Sequence, residues 1–137
     1  MKKIAITGGS GRFGTVLKKN TFFKNCYFPT KNQLNILNPK SIKRYLVSKK
    51  PKILIHLAAL SRPMNIHDKN ISQSIDLNII GTANIVKICS DLKIKLIYFS
   101  TNYVYPSTKG NYNEESSLLP INNYAWSKLG GECAVKL

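Results

Sequence analysis

The chain has 137 residues, 43% hydrophobic and 20% charged, the make-up of one ordinary globular domain and too short for two independent cores. Lys and Arg outnumber Asp and Glu 21 to 6, a formal charge of +15, but the basic residues never run more than two together and carry no aromatic platform. This argues against nucleic acid and for a solvated basic exterior that draws in small anions.

In chain order, KKIAIT (2–7) is a short apolar run ending at glycines and reads as a buried strand. GRFGTVLKKN (11–20) reads as a helix with Phe13, Val16 and Leu17 on one side. CYFPT (26–30) reads as a second strand, stopped by Pro29. Asn38-Pro39 opens a helix with Asn as cap and Pro at the first position, and Ile42, Tyr45 and Leu46 form its apolar stripe. KILIHLAAL (52–60) is a near-continuous apolar strand, the pattern of a strand covered on both faces. Between Ser72 and Leu92, the residues Ile75, Ile79, Ala83, Val86 and Cys89 recur at helical spacing. KLIYFST (95–101) is another apolar strand, and after a polar loop residues 122–137 form a last helix. Strands alternating with helices imply βαβ units with right-handed crossovers, hence a doubly wound parallel α/β domain that stops after a fourth strand. The apolar runs are too short for a membrane span, and that of the N-terminus too short for a signal peptide. Cys26, Cys89 and Cys133 lie in no metal-ligand spacing. The expectation is a cytoplasmic protein with reduced thiols and no metal.

Between the first strand and the first helix lies GGSGRFG, with Gly8, Gly11 and Gly14 three apart. Glycine admits positive φ and lets the backbone approach a ligand closely, and the helix start presents free N–H groups to a pyrophosphate. That placement points to a dinucleotide. An acidic residue about 20 positions on, which grips the ribose of NAD, is missing. The second strand runs instead into Phe28-Pro29-Thr30-Lys31. Arg12 and Lys31 are placed to meet a 2′-phosphate, so NADP(H) is favoured over NAD(H).

Six pieces then fall in one order: ITGGSGRFG, LNILN (34–38), HLAALS (56–61), DLNIIGTANIV (76–86), FSTNYVY (99–105) and NNYAWSKLGGE (122–132). With them the chain resembles the extended short-chain dehydrogenase/reductase family, Rossmann-fold proteins, and within it the dTDP-4-dehydrorhamnose reductase-like group. The resemblance implies a catalytic group of Thr101, Tyr124 and Lys128. It also implies that Gly11, Arg12 and Phe13 contact the pyrophosphate, Asn35 and Ile36 the adenine side, and Ala59, Leu60 and Ser61 the nicotinamide-side ribose. The substrate implied is a nucleotide-linked 4-keto-sugar. In the family, further strands and a small substrate domain follow the Tyr-Lys helix. Residues 1–137 are therefore expected to be the cofactor-binding portion, marginal or self-associating when isolated, with a possible homodimer through the helices after the third and fourth strands.

The chemistry of the residues agrees. Tyr124 and Lys128 lie at i and i+4, on one helical face. A neighbouring ammonium lowers a phenol from its free pKa near ~10 toward the working range. Thr101 ends a parallel strand, where ligands bind in such sheets. Other polar residues take simpler readings: His56 a hydrogen-bonded core residue, His67 and Asp68 surface, Glu114 and Glu115 solvated, Trp126 packing or interface. Asn102 stands where the reductases carry Asp, and Asn102-Tyr103 lacks the Asp-Glu pair of the dehydratases, which argues against dehydration. Three readings stay open beside the reductase: an epimerase with tightly held NAD, a non-catalytic regulatory module on the same fold, and, last, a basic nucleic-acid binder.

Overall fold

The computed structural model of the chain describes residues 3–108 and 110–137. Its sheet is parallel, in the order β1 (Ile4–Thr7), β2 (Ile53–His56), β3 (Lys95–Tyr98), with Ile4 opposite Ile53 and Ile53 opposite Lys95. The second strand expected at 26–30 is reduced to a single bridge. Tyr27 pairs with Ala5, donating to the Ile4 carbonyl at 2.9 Å and accepting from Ile6 N–H at 2.8 Å. Pro29 has no N–H to extend the ladder, and Cys26 N–H is spent on the Phe23 carbonyl at 3.0 Å in the turn before it. β2 and β3 also stop short of the expected runs, so Leu57–Leu60 and Phe99–Thr101 emerge beyond the carboxyl ends of the strands. In open α/β sheets that is where ligands bind.

The helices are α1 (Arg12–Lys19), α2 (Pro39–Lys49), α3 (Ile66–Lys69), α4 (Ile71–Ser74), α5 (Gly81–Asp91) and α6 (Asn123–Lys136), with a π-helical turn, Ile75–Ile80, joining α4 to α5. α2 starts as its sequence predicts, the Asn38 side chain accepting from Ser41 N–H at 3.1 Å. Ala5 and Leu54 of the sheet pack with Ile42 and Leu46 of α2 and with Ile85 and Ile88 of α5 in the core. In the next sheet row, Ile6, Ile55 and Ile97, exposure rises from 0% at Ile6 to 38% at Ile97 on the outer strand. Two expected stripes differ. On α1, Phe13 and Val16 are exposed and only Gly14 is buried, because α1 meets the glycine turn through a glycine and not through an apolar face. In the long helix the π turn inserts a residue and rotates the turns after it, so α5 buries Thr82, Ile85, Ile88 and Cys89 in place of a stripe through Ala83 and Val86. No helix among the described residues is long and apolar enough to cross a membrane.

His56 sits at the end of β2, fully inside. Its Nδ1 lies 2.7 Å from Thr7 Oγ1, its Nε2 lies 3.3 Å from Thr82 Oγ1, and Thr7 Oγ1 accepts from Ala58 N–H at 3.2 Å. A hydroxyl proton from Thr7 to Nδ1 and the Nε2 proton to Thr82 satisfy all three groups, which assigns the neutral Nε2–H tautomer. Burial, assisted by the nearby Lys128 charge, holds the imidazole pKa down at about 3, against 6.5 for a free histidine. The unfolded chain takes up this proton below pH 6.5 and the folded chain does not, so the stability is complete above about pH 6.5 and is lost as pH falls toward 3. The loss is at most about 1.4 kcal/mol per pH unit for one such group. Melting curves are predicted to shift down between about pH 6.5 and 5. In His56→Asn that shift is expected to flatten while stability at neutral pH drops.

Candidate active site

The turn between β1 and α1 is closed by Gly11 N–H donating to the Gly8 carbonyl at 2.9 Å. Gly8 has φ +72°, and a Cβ there would stand 2.7 Å from Ala58 N. A Cβ on Gly14 would run into the Gly8 carbonyl oxygen and lie 2.7 Å from Gly9 Cα. The turn is thus built for close approach of backbone to backbone, and α1 begins without a side-chain cap on its first N–H groups.

This turn forms one wall of a cleft of about 590 Å3. Gly8, Gly11, Arg12, Phe13 and Gly14 line one side of it; Lys31, Asn35 and Ile36 continue the wall, and Ala59, Leu60 and Ser61 face them. These residues, all expected at the cofactor, therefore meet in one cavity, while Tyr124 and Lys128, also expected there, are not part of its lining. The Asn35–Ile36 wall is held by Asn35 N–H donating to Ser41 Oγ and Asn84 Nδ2 donating to the Ile36 carbonyl, each at 3.1 Å. Arg12, Lys31 and Arg62 bring positive charge to the lining, which among the described residues contains no Asp or Glu. The glycine cradle, the open helix start and the Arg12 and Lys31 charges fit the phosphates of a dinucleotide.

Beyond β3, Thr101 and Tyr124 come together. The Thr101 hydroxyl accepts from Tyr103 N–H at 3.3 Å and hydrogen-bonds the Tyr124 phenol. Burial pushes the Tyr124 pKa up; the Thr101 hydrogen bond draws it back, Tyr103 raises it and Arg62 lowers it. Lys128 is placed differently from the sequence expectation. Its Nζ donates to the Phe99 carbonyl at 2.6 Å and lies 4.1 Å from the centre of the Tyr98 ring. The side chain is buried, which lowers its pKa to about 8, a fall that Glu132 opposes. The Arg62 charge favours the Tyr124 phenolate.

Two residues that sequence reasoning misses are central. Asn78, fully buried in the π turn, accepts from Leu60 N–H at 2.7 Å and donates to the Leu60 carbonyl at 2.9 Å and to Ser127 Oγ at 2.8 Å. It ties the cleft wall to the helix that carries Tyr124. Its signal in the sequence is an amide inside an otherwise apolar helical run. His67, expected on the surface, is 1% exposed. Its ring centre lies 5.1 Å from that of Tyr124, Nδ1 is 2.7 Å from Ser74 Oγ, and burial lowers its pKa against the opposing Asp68. The short helix α3 has folded down onto α6, where Asn123 Nδ2 also donates to Asp68 Oδ1 at 2.8 Å. Asp68, Glu114 and Glu115 are exposed as expected, and Trp126 is 53% exposed on α6.

Fold and cleft together define a Rossmann-type α/β domain. Comparison with known proteins gives the family: residues 1–137 match the RmlD substrate binding domain family, and the chain belongs to it, as its six motifs predict. Among solved structures, a dTDP-4-dehydrorhamnose reductase from Bacillus anthracis in complex with NADP is 30% identical with a TM-score of 0.89, over 99% of this chain and 50% of its own. The Xenopus laevis methionine adenosyltransferase 2 subunit beta is 31% identical over 144 residues, 98% of this chain and 42% of the relative. An Aggregatibacter actinomycetemcomitans GDP-6-deoxy-D-talose 4-dehydrogenase is 31% identical over 92% of this chain and 45% of its own. The chain thus spans less than half the length of these curated relatives.

Asn78→Leu keeps the branched heavy-atom arrangement and strands the Leu60 amide and carbonyl. It is predicted to cost roughly 2–4 kcal/mol in denaturant unfolding. An unchanged midpoint would contradict the tie between cleft wall and α6.

Proposed function

We propose that the chain is the cofactor-binding portion of an NAD(P)H-dependent reductase acting on a nucleotide-linked 4-keto-sugar, with NADP(H) preferred. The observation that carries this reading is the single acid-free cleft that joins the glycine turn to the Ala59–Arg62 wall, which Asn78 fastens to the Tyr124 helix. Family membership supports it, since relatives of this chain include a dTDP-4-dehydrorhamnose reductase and a sugar-nucleotide dehydrogenase.

In the proposed mechanism Ala59, Leu60 and Ser61 would hold the nicotinamide end of the cofactor, which when bound would supply hydride for the keto carbon. Tyr124 gives its phenolic proton to the carbonyl oxygen, which becomes the hydroxyl of the product. Thr101, already bonded to the phenol, steadies the tyrosine oxygen and shares its donor with the incoming carbonyl. Lys128, held by the Phe99 carbonyl, keeps a buried cation near the site. The preference for NADP(H) rests on Arg12 and Lys31 in a lining without the acid that binds an unphosphorylated ribose. An epimerase would use the same groups and return the hydride to the same sugar.

A second reading is a regulatory subunit with a retained nucleotide cleft, favoured by the 29–31% identity to vertebrate methionine adenosyltransferase 2 beta subunits over 98% of the chain. Tyr124→Phe in the full-length protein separates the two. With dTDP-4-dehydrorhamnose and NADPH, the reductase reading predicts a loss of turnover of roughly 100-fold or more with NADPH binding retained. Turnover within a few-fold of the parent protein would exclude Tyr124 as the proton donor.

A further inference from the structure

The three cations of the cleft stand at two places. Arg12 opens α1 beside the glycine turn, and Lys31 precedes the Leu34–Ile36 wall. These two face the pyrophosphate and adenosine end of a dinucleotide. Arg62 lies at the other end, two residues past Leu60, whose N–H and carbonyl both bond Asn78. Asn78 bonds Ser127, and the Ser127 hydroxyl donates to the Tyr124 carbonyl at 2.7 Å. A chain of short bonds thus fixes Leu60, two residues before Arg62, relative to the turn of α6 that carries Tyr124. Among the described residues Arg62 makes no ion pair; Asp68, the acid nearest in sequence, accepts from Asn123.

A nicotinamide dinucleotide has its phosphates in the pyrophosphate bridge and, in the phosphorylated form, on the adenosine ribose. Its nicotinamide end has none. Arg62 therefore has no phosphate partner in the cofactor and no carboxylate partner among the described residues. We propose that Arg62 is a specificity-determining residue that binds a phosphate of the second ligand, selecting a substrate that carries a phosphate ester close to its reacting carbonyl. This inference rests on the cleft holding a nicotinamide dinucleotide, and it adds which chemical feature of the substrate the protein reads. A guanidinium suits the task because it stays charged and grips two phosphate oxygens at once. Its field at Tyr124 has a consequence: phosphate bound there cancels the cation that draws the phenol toward its ionised form. The tyrosine then keeps its proton until the carbonyl takes it.

The test is titration of dTDP, and separately of thymidine, into NADPH-saturated protein, for the parent chain, Arg62→Gln and Arg62→Lys. The expected result is dTDP binding weakened by about tenfold or more in Arg62→Gln and less in Arg62→Lys. Thymidine binding should be equal in all three, and NADPH affinity should stay within about twofold. Equal dTDP affinity in Arg62→Gln, no dTDP binding by the parent, or a loss of NADPH affinity matching that of dTDP would each overturn the proposal and leave the cofactor site standing. Failure of the parent chain to bind NADPH would remove the cofactor reading, and this inference with it.

Discussion

One buried carboxamide holds the site together. Asn78 is enclosed in the π-helical turn and commits its oxygen and both amide hydrogens to Leu60 and Ser127. A buried amide that lost either partner would leave unsatisfied polar groups in the interior, so the arrangement has one geometry. The cleft wall after β2 and the helix after β3 belong to distant parts of the chain, and this amide sets the distance between them. Gly131 completes the constraint: a Cβ there would lie 2.6 Å from the Asn78 carbonyl oxygen and 2.7 Å from the Tyr98 hydroxyl. The π turn, often found at functional sites, turns the Asn78 side chain inward just where α6 crosses closest.

Electrostatics depend on that packing. Tyr98, pinned between Thr82 and the Lys128 carbonyl, offers its ring to the Lys128 ammonium. The lysine is buried with a carbonyl and a ring in place of a carboxylate, which is why its pKa falls. Tyr124, half-buried and packed at a tilt against the His67 ring, is pushed the other way. Burial thus disfavours the charged form of each member of the dyad, lowering the lysine and raising the tyrosine. The positive lining of the cleft serves a separate purpose, raising the local concentration of anionic ligands.

Local chemistry is the part of this protein legible in its sequence. The glycine turn, the Asn38-Pro39 helix start and the Tyr124–Lys128 spacing are each written within a few residues, and each stands where it is expected. The elements that differ are decided by tertiary contact. CYFPT carries strand composition, but Pro29 and the preceding turn leave Tyr27 one residue of pairing. The stripe through Ile75 and Val86 follows ideal helical periodicity, which the π turn breaks so that Asn78 can face inward. His67 reads as a loop residue because its burial comes from α3 docking on α6, a contact between segments more than 50 positions apart. The direction of Lys128 is hidden for the same reason: spacing places it on the face of Tyr124, while the Phe99 carbonyl and the Tyr98 ring decide where its ammonium rests.

The central claim is that the glycine turn and its cationic wall form a working site for a phosphorylated nicotinamide dinucleotide. The most direct measurement is a paired titration of the purified protein with NADPH and with NADH, followed by nicotinamide fluorescence and repeated with Arg12 and Lys31 each changed to Ala. Saturable binding, tighter for NADPH by roughly tenfold and losing that margin in either variant, is the result predicted. Equal or tighter binding of NADH, unaffected by either change, would contradict it.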